Sequence, residues 1–218
     1  MPLSLVGLDL ASAFYVRQAG KHGAPVLVLG SADGRVAFAL AGKGHRVVAV
    51  EPSPRMHAAA NEKRPSEPGA PDVRLVNADL RSVRLEEKFG LVVAPQNALG
   101  LMATVDDFEA ALTTVRFHLT PDGVFAFDLR SDSDTDPPPL GRAAFSAHMR
   151  ERGGQSVRRL RRRVFTPGEV DAVLVRAGLE ARERYGDFLS RPWEDSDEMQ
   201  VVVASTAARE TASPPFAY

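Results

Sequence analysis

Apolar residues in this chain fall into short unbroken runs, separated by longer stretches in which they recur every three to four positions. VLVLG (26–30) follows a proline and ends on a glycine. RVVAVE (46–51), VRLVNADL (73–80), the opening of FGLVVAPQNALGLM (89–102) and VFAFDLR (124–130) repeat that character. Runs apolar at nearly every position suit strands buried on both faces. The segments between them carry helical spacing: 11–21, 36–41, 52–64 and 106–119. In the last of these Phe108, Leu112, Val115 and Leu119 form one stripe. Ser53 followed by Pro54 marks a helix start, Gly20 or Gly23 and Gly42 mark stops, and TPDG (120–123) reads as a stop and turn before the fifth strand.

The C-terminal part keeps the rhythm with more punctuation. Residues 65–72 and 131–139 are loops by composition, the second too acidic and proline-rich for a regular element. Residues 142–165 read as a β-hairpin turning at Gly153–Gly154. A helix follows over 166–178, with Thr166 as N-cap and Glu169 three residues on as its capping partner. Two last strands, LEARERYGDF (179–188) and MQVVVAS (199–205), have one loop between them and are expected to pair antiparallel at one edge. Residues 206–218 form a polar, Pro-ended tail expected to be flexible. Strands alternating with helices predict an α/β fold, a doubly wound and mostly parallel seven-stranded sheet with an antiparallel edge strand and a small β-hairpin appendage.

Length and composition narrow the picture. The 218 residues suit a single domain over 1–205, and 44% hydrophobic with 25% charged residues is ordinary for a globular protein. A net charge of −1 gives no overall attraction to nucleic acid or to an anionic membrane. There is no cysteine, which removes disulfides, thiolate metal sites and a thiol nucleophile. No apolar run approaches the ~20 residues needed to span a bilayer, so no membrane association and a cytoplasmic location are expected.

In an open sheet of this kind the ligand sits at the carboxyl ends of the strands, where the strand order reverses. Strand one ends in Gly30–Ser31–Ala32–Asp33–Gly34, whose glycines permit a tight turn and a close approach to a ligand. Strand two ends on Glu51, twenty-one residues after Gly30, where an acid can accept both hydroxyls of a ribose. Strand three ends in Asn77–Ala78–Asp79–Leu80: a carboxylate for an exocyclic amine beside an apolar side chain for a ring face. Strand four ends in Pro95–Gln96–Asn97, polar groups able to point across the cleft. In that order these ends describe a nucleoside pocket.

With these motifs the chain resembles the class I S-adenosylmethionine-dependent methyltransferases, of the group that acts on small molecules. The similarity covers most of the chain. VLVLGSADGRVAFALAGKGHRVVAVEPSPRM is similar to the family's first two motifs, VRLVNADL to its adenine-binding motif, and FGLVVAPQNALGLM to the loop after its fourth strand. HLTPDGVFAFDL and FTPGEVDAVLVRAGLEARERYGDF are similar to its later helix–strand units. The resemblance implies a Rossmann-like fold, S-adenosyl-L-methionine as cofactor with S-adenosyl-L-homocysteine as product, and a small-molecule methyl acceptor. It implies that Gly30, Ser31, Ala32 and Gly34 face the methionine part. Glu51 would bind the ribose, with Pro52 and Met56 beside the nucleoside, and Asp79 and Leu80 would hold the adenine. Pro95 and Gln96 would sit near the methyl group, and Tyr15 would close over the cofactor from the leading helix. The chain departs from the family's Gly-x-Gly-x-Gly turn at Ala32, whose methyl is accommodated if φ there is negative.

Two other readings compete. Ala32 and the short stretch before the leading helix fit a cofactor-impaired, non-catalytic relative acting as a binding protein. Residues 142–165 carry eight arginines and one glutamate, which fits a nucleic-acid methyltransferase; against it, Phe145 and Phe165 lie at the ends and no aromatics are interleaved for base stacking. A solvated face paired with the acidic 131–136 loop, or a homodimer contact, accounts for the same arginines. His148, on that hairpin, is the one histidine entertained as a general base. His118 lies near a helix C-terminus, where a cation is favoured, and reads as structural; His22, His45 and His57 read as solvated. No His/Asp/Glu cluster has ligand spacing, so no metal is expected.

Overall fold

The computed structural model describes residues 8–67, 69–130 and 164–207. The acidic loop, the hairpin up to residue 163 with His148, and the tail from 208 lie outside the described residues. The elements run α1 (Leu10–His22), β1 (Val26–Leu29), α2 (Arg35–Ala41), β2 (Val47–Val50), α3 (Pro54–Lys63), β3 (Val73–Val76), β4 (Phe89–Ala94), α4 (Val105–His118), β5 (Leu119–Arg130), α5 (Pro167–Arg176), β6 (Leu179–Tyr185) and β7 (Met199–Thr206).

Local chemistry sets the helix boundaries. Asp9 caps α1, its carboxylate accepting from the Ser12 N–H at 3.1 Å. The helix passes through Gly20 and stops at Gly23, where φ is +79°. Ser53 and Thr104 cap α3 and α4. Thr166 and Glu169 form a reciprocal capping box on α5, as their spacing predicts.

The seven strands form one sheet in the order β3-β2-β1-β4-β5-β7-β6. β3, β2, β1, β4 and β5 are mutually parallel. β7 is antiparallel to both its neighbours, β5 and β6, so the antiparallel edge is a pair with β7 on its inner side. Alternate residues of each strand point to opposite faces and feed two cores. Val26, Val28, Val47, Ala49, Leu91 and Val93 pack on the α1–α2 side. Leu27, Leu29, Val48, Val50, Val92 and Ala94 pack on the α4–α5 side. This two-sided burial is why the strands read as unbroken apolar runs.

One boundary differs from expectation. TPDG does not separate α4 from a later strand. Leu119 already pairs with Phe89, and the next pair is Leu91 with Val124, so residues 120–123 bulge out of the ladder. Pro121 and Asp122 are exposed there, and the Pro121 carbonyl accepts from the Thr206 hydroxyl at 2.9 Å.

Candidate functional site

The chain turns outward after β1, runs to β2 and β3 on one side, and returns to β4 on the other side of β1. The strand order reverses there, and the carboxyl ends of β1, β2, β3 and β4 meet at one edge. The turn after β1 holds three residues at positive φ: Gly30 (+76°), Ala32 (+50°) and Gly34 (+87°). A side chain at Gly30 would bring its Cβ to 2.5 Å from Ala98 Cβ, so the β1 turn and the β4 loop touch across the reversal point. The condition that would accommodate the Ala32 methyl, a negative φ, is not met: the residue is left-handed, at a cost of about 1–2 kcal/mol for a non-glycine residue. A charge-assisted hydrogen bond offsets it, because the Ala32 N–H donates to Glu51 Oε2 at 2.8 Å.

Glu51 is 7% exposed. Its Oε1 accepts from the Ser53 N–H at 2.9 Å, and its own carbonyl accepts from Asn77 Nδ2 at 2.7 Å. The carboxylate therefore staples the β1 turn to the start of α3, and each oxygen keeps further acceptor capacity. Pro52 beside it is exposed and Met56 is half-buried. Asp79 is held by Arg81, whose guanidinium donates to both of its carboxylate oxygens and also reaches Asp107. Those hydrogen bonds from Arg81 hold the Asp79 carboxyl below the usual carboxylate range. Leu80 is buried in the core, on the Gly30 side.

The loop after β4 has the tightest backbone. Gln96 and Asn97 follow one another at φ +60° and +56°. Two left-handed non-glycine residues in sequence need an external hold. Asp128, on β5, supplies it: its Oδ1 accepts from the Gln96 N–H at 2.8 Å and its Oδ2 from the Asn97 N–H at 2.7 Å. The Tyr15 hydroxyl donates to Oδ1 of the same carboxylate at 2.6 Å. Tyr15 is fully buried, edge-on to Phe14 and Phe188, so the structure places its tip beneath this loop. Burial raises the Asp128 carboxyl above the usual carboxylate range, against the downward pull of its three donors; burial and the nearby Asp128 raise the Tyr15 phenol. Asp128 was not among the sequence candidates. Its signal was a lone carboxylate inside the apolar run VFAFDLR.

Two buried polar atoms at this edge have no hydrogen-bond partner: Ser31 Oγ, after β1, and Gln96 Nε2, after β4. Both fit a ligand that carries donors and acceptors across the reversal point, as the amino-acid end of S-adenosylmethionine does. Of the predicted residues, Gly30, Ser31, Ala32, Gly34, Glu51, Pro95 and Gln96 stand at the adjacent ends of β1, β2 and β4. Asp79 and Leu80 follow β3, and Tyr15 enters from below.

Other expectations shift. His118 is structural but neutral: Nε2 accepts from the Leu85 N–H at 2.9 Å while Nδ1 lies 2.8 Å from the Thr114 carbonyl, and burial lowers its titration point. His22, His45 and His57 are half-buried rather than solvated, and His45 and His57 each have one buried, unpartnered ring nitrogen. Among the described residues no three His, Asp or Glu side chains converge as metal ligands, and no helix is long and apolar enough to cross a membrane.

Residues 26–123 match the family described as a methyltransferase domain. A curated relative, the cypemycin N-terminal methyltransferase of a Streptomyces species, is 33% identical over 125 residues, covering 57% of this chain and 47% of the relative. The chain thus matches about half the length of that relative. Among solved structures, the CcbJ methyltransferase of Streptomyces caelestis superposes with a TM-score of 0.79 at 26% identity, over 94% of this chain and 93% of that one. The glycopeptide N-methyltransferase MtfA in complex with S-adenosylmethionine shares the fold, with a TM-score of 0.67 at 24% identity over 88% of this chain and 86% of that one.

Proposed function

We propose that this chain is a class I S-adenosylmethionine-dependent methyltransferase, an enzyme that moves a methyl group from that cofactor to a small-molecule or peptide acceptor. We read residues 1–205 as one domain. The observation that carries the proposal is the pair of unpartnered buried atoms, Ser31 Oγ and Gln96 Nε2, on the residues that follow β1 and β4 at the reversal point. The name of the cypemycin relative supports an amine nitrogen as the acceptor atom.

When bound, S-adenosylmethionine would supply a methyl group on a positively charged sulfur. Glu51 would hold the ribose hydroxyls with the lone pairs its two backbone bonds leave free. The Gly30–Gly34 turn and Ser31 would hold the methionine part. Leu80 and Met56 would flank the nucleoside, and Asp79, already ionised by Arg81, would accept from the adenine amine. Gln96 would orient the transferring end. Transfer in line forms the acceptor–carbon bond as the carbon–sulfur bond breaks, and an amine acceptor gives up one proton to solvent. The chain's main contribution is then proximity and orientation, worth about 7–11 kcal/mol of barrier.

Calorimetric titration tests the binding step. The wild-type protein is expected to bind S-adenosylmethionine and S-adenosylhomocysteine, and Gln96→Ala to weaken both. Binding of neither ligand by folded wild-type protein would sink the proposal. Mass-spectrometric detection of methylated product across amine and hydroxyl acceptors then tests the acceptor atom.

A further inference from the structure

Asp128 has a feature that loop bracing alone does not require. Asp128 is 3% exposed, and among the described residues its carboxylate is met by three donors: the Tyr15 hydroxyl and the Gln96 and Asn97 N–H groups. Burial pushes its titration point up, but the two backbone N–H groups can only donate and Tyr15 stands as a third donor, so this set of partners favours the ionised form. Asp128 takes part in no ion pair among the described residues. Arg35 acts on it from a distance and is itself paired with Asp9. The result is a buried negative charge balanced by dipoles. In such surroundings a charge is little screened and acts strongly on what lies next to it.

Its place gives that field a target. Asp128 bonds directly to the first two left-handed residues after β4, at the reversal point, on the edge that holds Ser31 Oγ and Gln96 Nε2. Backbone dipoles alone would brace the loop, whereas a full charge also favours a cation above it. S-adenosylmethionine and its demethylated product have nearly the same shape and differ by one positive charge on sulfur. We infer that Asp128 is a specificity-determining residue, whose buried charge favours the cationic methyl donor over the neutral thioether product. The inference rests on the function proposed above. It assigns β5 a role in releasing product once the positive charge is spent.

The test compares affinities for S-adenosylmethionine and S-adenosylhomocysteine by calorimetry in wild type, Asp128→Asn and Tyr15→Phe. Asp128→Asn removes the charge and keeps the shape, so it is expected to weaken methyl-donor binding about tenfold more than product binding. Tyr15→Phe keeps the charge and removes one donor, so the ratio of the two affinities is expected to stay within about twofold of wild type. Should Asp128→Asn fail to fold, Asp128→Ser removes the charge while leaving an acceptor, and the same ratio is read. Equal losses for both ligands would make Asp128 a positioning residue only and overturn the inference, as would no change in either. Wild-type protein that binds neither ligand would remove the proposed function and the inference with it. An unchanged ratio in a protein that binds both removes the inference alone.

Discussion

Replacing Glu51 with alanine is expected to unsettle the fold as well as the pocket. The carboxylate accepts the Ala32 and Ser53 N–H groups at 2.8 and 2.9 Å and is 7% exposed. Hydrogen bonds to a charged group contribute about 1.5–3 kcal/mol each, and truncation would leave two N–H groups without that acceptor. Removing a poorly hydrated carboxylate recovers part of this, because its desolvation cost disappears too. The expected net loss is about 2–4 kcal/mol. For a chain of this size that is a fall in Tm of about 5–15 °C. Urea denaturation followed by the fluorescence of the single tryptophan, Trp193, measures it directly. Glu51→Gln keeps one acceptor oxygen and is expected to lose less. A Glu51→Ala protein within about 0.5 kcal/mol of wild type would refute the staple, since surface changes fall in that range. The same result bears on binding assays: a Glu51→Ala protein that no longer binds cofactor reports on the turn as much as on the ribose, and only comparison with Glu51→Gln separates them.

Two further outcomes follow from the same geometry. Ala32→Gly relieves a left-handed alanine by about 1–2 kcal/mol and gives back about 0.5–1 kcal/mol in backbone entropy, so a stability gain of at most about 1.5 kcal/mol is expected; a clear loss on thermal denaturation would contradict the strain at that position. His118 is held neutral by burial, so its folded titration point lies below the ordinary value of 6.5. The unfolded chain takes up that proton first, and stability is expected to fall as the pH drops through about 6.5, by up to about 1.4 kcal/mol per pH unit. His22 and His45 are shifted the same way, so the difference between wild type and His118→Gln isolates the residue; parallel stability profiles for the two proteins would show that His118 carries no linkage.

The fold was legible because its signals are local and repeated. Residues such as Leu27 and Val28 feed opposite cores, so their strand shows no polar alternation, and the Thr166–Glu169 spacing announces a helix start by itself. Glu51 and the β1 turn were legible because strand ends in a doubly wound sheet have a fixed meaning. What stayed hidden depends on partners far apart in the chain. Asp128 finds Tyr15 across 113 residues, and the left-handed pair at Gln96–Asn97 makes sense only with that carboxylate beneath it. Arg81 takes hold of Asp79 only two residues away, but the pattern of the run VRLVNADL gives no sign of it. The charge state of His118 follows from its burial, with the Leu85 N–H donating to Nε2, and helix-end reasoning supplies neither.

The position of β7 sets an order of assembly. Asp128 pairs across the ladder with Val201, so the strand that carries the buried charge gains its second neighbour only from residues 199–206. β6 joins the sheet through the same strand. On a ribosome, the earlier parallel core can form while one side of β5 is still open to water and its carboxylate is solvated like any surface acid. A nascent chain can therefore lay down its parallel core first, and β7, with β6 attached to it, completes the sheet beside Asp128.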